Sequence, residues 1–176
     1  MRKVVLLLAA AALMTTTAYA AMPVGSMALG WVNSNAPIGI RYQVAEKIAA
    51  DVGLGVASYD TNRMEFNVHL GLPIELMAND RCSLDFRPAV SVYYTSYDED
   101  GPFGQVDNSP IDFVVHGWLT VNLMVTDNFG VNASHGLNIE ITGDRENEAG
   151  DVIMEGTTDF YTVGAGVTEI GWFYWF

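Results

Sequence analysis

The chain has 176 residues, with 8 Lys and Arg against 21 Asp and Glu and a formal net charge of −13. That balance excludes a nucleic-acid binder, which needs a basic footprint. The length suits one domain, and the single cysteine, Cys82, excludes an intramolecular disulfide.

The chain opens "MRKVVLLLAAAALMTTTAYA". Arg2 and Lys3 precede an apolar run from Val4 to Met14, and Ala18-Tyr19-Ala20 closes it. This is the layout of a secretory signal peptide, with the apolar run too short to span a bilayer as a helix. Residues 1–20 are therefore expected to be removed, leaving a mature domain over 21–176. Loss of Arg2 and Lys3 takes the net charge from −13 to −15.

From there the apolar residues alternate with polar ones, the period of a β-strand. Short alternating stretches occupy roughly 27–33, 37–45 and 48–58. A longer one follows in "MEFNVHLGLPIELM" (64–77), where every even position is apolar and the odd positions from Glu65 to Glu75 are polar or small. Residues 82–94 set Cys82, Leu84, Phe86, Pro88, Val90, Val92 and Tyr94 against Ser83, Asp85, Arg87, Ala89, Ser91 and Tyr93. Residues 111–126 set Ile111, Phe113, Val115, Leu119, Val121 and Leu123 against Asp112, His116, Trp118, Thr120 and Asn122. Residues 129–142 alternate likewise, and a last strand runs from about 159 to the end. About eight strands are predicted, longer than is usual in soluble sheets.

The connections alternate in kind. "EK" (46–47), "NDR" (79–81) and "TDN" (126–128) are tight turns, whereas 97–110 and 142–156 are long, acidic and glycine-rich. In an up-and-down meander this puts short turns and both chain ends on one rim and long loops on the other, as in transmembrane β-barrels. A lipocalin-type barrel would turn the apolar face inward. Two features favour the opposite. The polar face is mostly Gly, Ala, Ser, Asn and Thr, too poor in charge for a soluble surface. The apolar face concentrates aromatics towards the strand ends: Trp31, Phe66, Tyr94 and Phe113 near the long-loop rim, and Tyr42, Phe86, Phe129, Trp172 and Tyr174 near the other.

The chain ends "GWFYWF" (171–176), with Ile170, Trp172, Tyr174 and Phe176 on one face. Here it resembles small bacterial outer-membrane β-barrel proteins, whose last strand typically ends in Phe with apolar residues at alternate positions. The stretch "PIGIRYQVAEKIAADVGLGVA" (37–57) is also similar to a common hairpin of that family. The resemblance implies an all-β, eight-stranded antiparallel up-and-down transmembrane barrel in the outer membrane of a Gram-negative cell. It further implies that Phe176, Tyr174, Trp172 and Ile170 form an assembly signal read by the barrel-assembly machinery and periplasmic chaperones. The implied surroundings are outer-membrane lipids and lipopolysaccharide, and the expected state is a monomer. In the last strand Tyr161, Val163, Ala165 and Val167 are out of phase with Ile170 to Phe176; a β-bulge near 168–169 would reconcile them.

The inward face carries Arg41, Asp51, Glu65, His69, Glu75, Asp85, Arg87, His116, Glu140 and Glu169. An eight-stranded barrel is just wide enough for side chains, so these residues are expected to form a paired polar network that fills the lumen. Hairpin geometry places Arg41 near Asp51, and Arg87 near Glu75 and Asp85. His69 and His116 show no HxH or HExxH spacing. The loop acids Asp98, Glu99, Asp100, Asp107, Asp144, Glu146, Glu148 and Asp151 do not match the EF-hand. No cofactor motif is present, and no metal is expected.

His135 stands apart, on the apolar outward face. It is similar in placement to the catalytic histidine of outer-membrane lipid A deacylases, whose serine lies two residues away on the outer wall. Here that position is Leu137, and Ser134 falls on the inward face. The expected role is structural or surface-interacting, through the long loops, and not enzymatic. The alternatives are a deacylase-like lipid A-modifying enzyme and a narrow solute conduit.

Overall fold

The computed structural model describes residues 22–58, 63–97, 111–146, 151–162 and 169–176. The expected leader 1–20, most of the 97–110 loop and part of the expected last strand lie outside them. Twelve strand segments follow in order: β1 (Met27–Trp31), β2 (Ile38–Ala45), β3 (Ile48–Ser58), β4 (Arg63–Gly71), β5 (Ile74–Ala78), β6 (Cys82–Tyr97), β7 (Ile111–Met124), β8 (Phe129–Ile141), β9 (Arg145–Glu146), β10 (Val152–Met154), β11 (Thr158–Thr162) and β12 (Glu169–Trp175). β9 and β10 form a small separate hairpin inside the last long loop. The others make eight staves, because β4 and β5 both pair with β6, and β11 and β12 both pair with β8. β12 also pairs with β1, through Leu29↔Tyr174 and Trp31↔Trp172, so the sheet closes. The fold is an antiparallel eight-stranded up-and-down barrel, as the alternation predicts.

Alternation becomes two walls. Along β7 the burial pattern switches at every residue: Asp112, Val114, His116, Trp118 and Thr120 are buried, while Phe113, Val115, Leu119 and Val121 are exposed. The outward residues are apolar and the buried ones mostly polar, the inverse of a lipocalin. A small apolar cluster of Ala28, Val32, Phe173 and Trp175, with Met22 and Met124 against it, fills the barrel near the short-turn rim.

The short turns carry local chemistry that fixes them. Asn79 Oδ1 accepts from the backbone N–H groups of Arg81 (3.1 Å) and Cys82 (2.8 Å), an Asx turn. Thr126 Oγ1 does the same for Phe129 N at 3.0 Å. In the fourth stave Pro73 has no N–H to give the ladder and separates β4 from β5. Leu72 N still donates to Pro88 O (2.9 Å), and Glu75 N to Lys47 O (2.8 Å). A register shift between Glu75 and Met77 then leaves both Leu76 and Met77 exposed.

Three expectations need correction. The first strand ends at Trp31, not at 33, because residues 32–37 turn into the lumen. Trp31 consequently pairs directly with Trp172, so the two do not belong to opposite aromatic rims. In the last stave Thr162 pairs with Leu137 and Glu169 with Ser134. Phe160 and Ile170 nevertheless share the outward face and Tyr161 pairs with inward Asn138; the described halves are in phase. The expected bulge falls mostly outside the described residues.

Candidate functional site: the filled lumen

Among the described residues the lumen is filled in layers. Nearest the short turns is a cavity of ≈ 80 Å³, lined among others by Lys47, Glu75, Arg81, Asp85 and Asn132. Asp85 accepts from Ser83 Oγ (2.8 Å) and Asn122 Nδ2 (2.7 Å). These three side chains come from β6 and β7, where the register Ser83↔Asn122 brings them together.

Above this floor sits a charged layer. Arg41 donates twice to Asp51, Nε to Oδ1 at 2.7 Å and Nη2 to Oδ2 at 2.8 Å. Register explains it, since Arg41 and Asp51 are cross-strand partners in the β2–β3 hairpin. Arg87, two staves away on β6, reaches the same carboxylate over Gly71 of the stave between, with Nη2 2.6 Å from Oδ2. The ion pair of Arg87 is thus with Asp51 and not with Glu75, while Asp85 acts on it through its charge. The Arg41 guanidinium also lies 4.1 Å from the ring centre of Phe173, a cation–π contact. Arg87 and Asp51 are fully buried, so their charges have no solvent to fall back on.

The next layer is neutral. Thr120 and Ser134 hydroxyls meet at 2.8 Å. Beside them Ser91 Oγ lies 2.9 Å from His69 Nδ1 and 2.8 Å from His116 Nε2. His116 Nδ1 is 2.8 Å from Asn138 Oδ1, which also accepts from Trp118 Nε1 at 2.9 Å. Neighbouring strands supply the cluster: His69↔Ser91 pair between β4 and β6, and His116↔Asn138 between β7 and β8.

The β1–β2 connection caps this layer from inside. Asn33 Oδ1 accepts from the N–H groups of Asn35 (2.9 Å) and Ala36 (2.6 Å), which curls residues 33–36 into a tight turn. Val32, Asn33 and Ala36 are buried. The turn is held by Asn33 Nδ2 on His69 Nδ1 (3.0 Å), by Arg87 Nη1 on Val32 O (3.3 Å), by Asn35 Nδ2 on Tyr93 Oη (2.9 Å), and by Ser34, whose N–H and hydroxyl both donate to Glu169. It needs a wall without side chains. A Cβ at Gly55 would lie 1.7 Å from Asn35 O, and one at Gly39 1.9 Å from Val32 Cγ2. The upper rim carries Glu65 with Arg63 (3.3 Å), Asp112 with Arg145 (3.0 Å), and Glu140 near Tyr161.

All ten lumen residues named from the sequence face inward. Arg41, Asp51, His69, Asp85, Arg87 and His116 are buried; Glu65, Glu75, Glu140 and Glu169 are partly exposed. Sequence reading missed the inward turn at 32–37 and the joining of Ser91, Asn138 and Trp118 to the histidines. The available signal was the glycine run Gly39, Gly53, Gly55 on one inward face. His135 is exposed on the outer wall opposite Leu119, and Ser134 is turned inward to Thr120. Among the described residues no three His, Cys, Asp or Glu side chains converge as a metal site would require.

Ile170, Trp172, Tyr174 and Phe176 all point outward, while Phe173 and Trp175 point in. The terminus is sewn into the seam: Trp175 N donates to Asn128 O (2.7 Å), and Phe176 N to Met27 O (3.0 Å). No family model matches the chain, and neither a curated protein nor a solved structure does.

Proposed function

We propose that this chain is a monomeric, integral outer-membrane barrel with a structural or surface-interacting role, carrying acidic loops on the outside and a closed lumen. The observation that carries the reading is the inversion of the two walls. Around the barrel Ile40, Val52, Val68, Leu70, Val115, Leu119 and Val121 are exposed, while Arg41, Asp51, His69 and Arg87 are buried. An apolar belt this continuous is far larger than a soluble monomer exposes. In a bilayer it needs no cover, and closure of the sheet through β1 and β12 leaves no open edge to be hydrated. The leader-like 1–20 segment, the split between short turns and long loops, and the terminal Phe176 support export to the outer membrane. There outer-membrane lipids and lipopolysaccharide would surround the belt, and the barrel-assembly machinery with periplasmic chaperones would handle the chain in transit.

The test is fractionation followed by gel mobility with and without boiling. Recovery in the outer-membrane fraction with a heat-dependent shift is expected. A soluble periplasmic protein without a shift would overturn the reading.

A further inference from the structure

The geometry points to Ser91 as an activated nucleophile for acyl transfer, with His116 as its base and Asn138 as the group that orients the base, covered in this structure by the 32–37 turn; the substrate class is a small carboxylic ester. This goes beyond a structural role and does not depend on which membrane holds the barrel.

The protons can be placed one by one. An indole N–H only donates, so the Asn138 atom 2.9 Å from Trp118 Nε1 is the amide oxygen. The same oxygen lies 2.8 Å from His116 Nδ1, which must therefore carry hydrogen. A neutral imidazole has one N–H, so His116 Nε2 is bare. It stands 2.8 Å from Ser91 Oγ, whose single proton has two acceptors in reach, this nitrogen and His69 Nδ1 at 2.9 Å; turned to His116, the hydroxyl hands its proton to the base. The chain of donation runs Ser91 to His116 to Asn138, the direction that general-base activation of a serine requires. An amide in the third position can fail by presenting its NH₂ group, which selects the wrong tautomer. Trp118 prevents that flip.

His69 adds to the site. Asn33 Oδ1 is taken by two backbone N–H groups, so its NH₂ faces His69 Nδ1 and that nitrogen is an acceptor. The His69 proton then sits on Nε2, which is buried and has no acceptor among the described residues. A free N–H donor thus stands on the ring adjoining Ser91, in a residue with no exposed surface. It faces the Gly71 wall beside Arg87 Nε, with no partner of its own.

The step balances without a cofactor. Ser91 Oγ bonds to the ester carbonyl carbon, its proton passes to His116 Nε2, and the proton goes on to the leaving alkoxide as the ester C–O bond breaks. Water then attacks the acyl-serine with the same base, releasing the acid and restoring Ser91. Access is the gated part. Ser91 has no exposed surface, and Asn33 lies directly over His69. A six-residue turn held by a few side-chain contacts opens far more readily than paired strands.

The test uses the folded barrel in detergent, with folding checked by the heat-dependent gel shift. Phenylmethanesulfonyl fluoride should place one adduct on Ser91, with loss of fluoride, located by peptide mass spectrometry. Ser91→Ala should abolish it, and Asn33→Ala should speed it by loosening the cover. His116→Gln should slow it by about 100-fold. Trp118→Phe, which keeps every triad atom, should also slow it and decides the matter if His116→Gln does not fold. p-Nitrophenyl acetate should release p-nitrophenolate in a Ser91-dependent way. No adduct on folded wild type and folded Asn33→Ala, or labelling that neither His116→Gln nor Trp118→Phe slows, would overturn the proposal. Labelling without any Ser91-dependent ester cleavage would overturn the substrate class.

Discussion

Arg87 and Asp51 sit 2.6 Å apart, two staves from one another with Gly71 on the stave between them, and both are fully buried. Asp51 also holds Arg41, so one carboxylate serves two guanidiniums. Asp85, in the layer below, supplies the second negative charge that acts on both.

Asp51→Asn should therefore be the most damaging isosteric change in the lumen. It leaves two cations buried side by side with only amide contacts, and breaking a buried pair in this way costs about 3–5 kcal/mol. The check is the guanidinium midpoint of unfolding in micelles, followed by tryptophan fluorescence. An unchanged midpoint would mean that water reaches this layer.

Gly55→Val should push the 32–37 turn off its wall, because even a Cβ meets Asn35 O at 1.7 Å. The β3 strand can accept valine, since the residue faces inward in an extended segment. Wild type should be silent in planar bilayers, and the variant should pass current in discrete openings. A silent Gly55→Val barrel with a normal heat shift would show that the charged layer alone closes the lumen.

Much of this was legible beforehand, for a physical reason. Period-two alternation is a local property, so the residues that face in, from Arg41 to Glu140, could be read directly. That Arg41 lies near Asp51 was readable too, but a two-residue turn at 46–47 alone would set Arg41 against Val52; the register shift between Gln43 and Ala45 moves it onto Asp51. Arg87 with Asp51 was not, because the two stand diagonally on strands that share no turn, and the reach depends on Gly71 of the stave between them. The inward fold of 32–37 was hidden for a different reason. "VNSNAP" carries ordinary turn residues, and only the distant glycines that receive it show where it goes.

His135→Ala should leave lipid A unchanged by mass spectrometry. The ring is exposed on the outer wall beside Leu119 and Leu137, and the adjacent hydroxyl, Ser134, points inward to Thr120. A histidine base needs its nucleophile within hydrogen-bond reach. A difference in acylation between wild type and variant would restore the outer-wall enzyme reading.

Phe176→Ala should separate recognition from stability. The Phe176 side chain is 70% exposed, whereas its backbone N–H bonds Met27 O and is kept in the variant. Barrel refolded in micelles should therefore keep its unfolding midpoint to within about 0.5 kcal/mol, as expected of an exposed site. Yield in the outer membrane of cells should nevertheless fall several-fold if the terminal aromatic is what the assembly machinery reads. Full deletion of Phe176 should lower the yield as well, but it also removes the seam hydrogen bond, so it cannot distinguish the two causes. Equal loss of yield and of refolded stability in Phe176→Ala would make the residue a seam anchor. Normal yield would remove the assembly role and leave the outward face of the last strand to lipid contact alone.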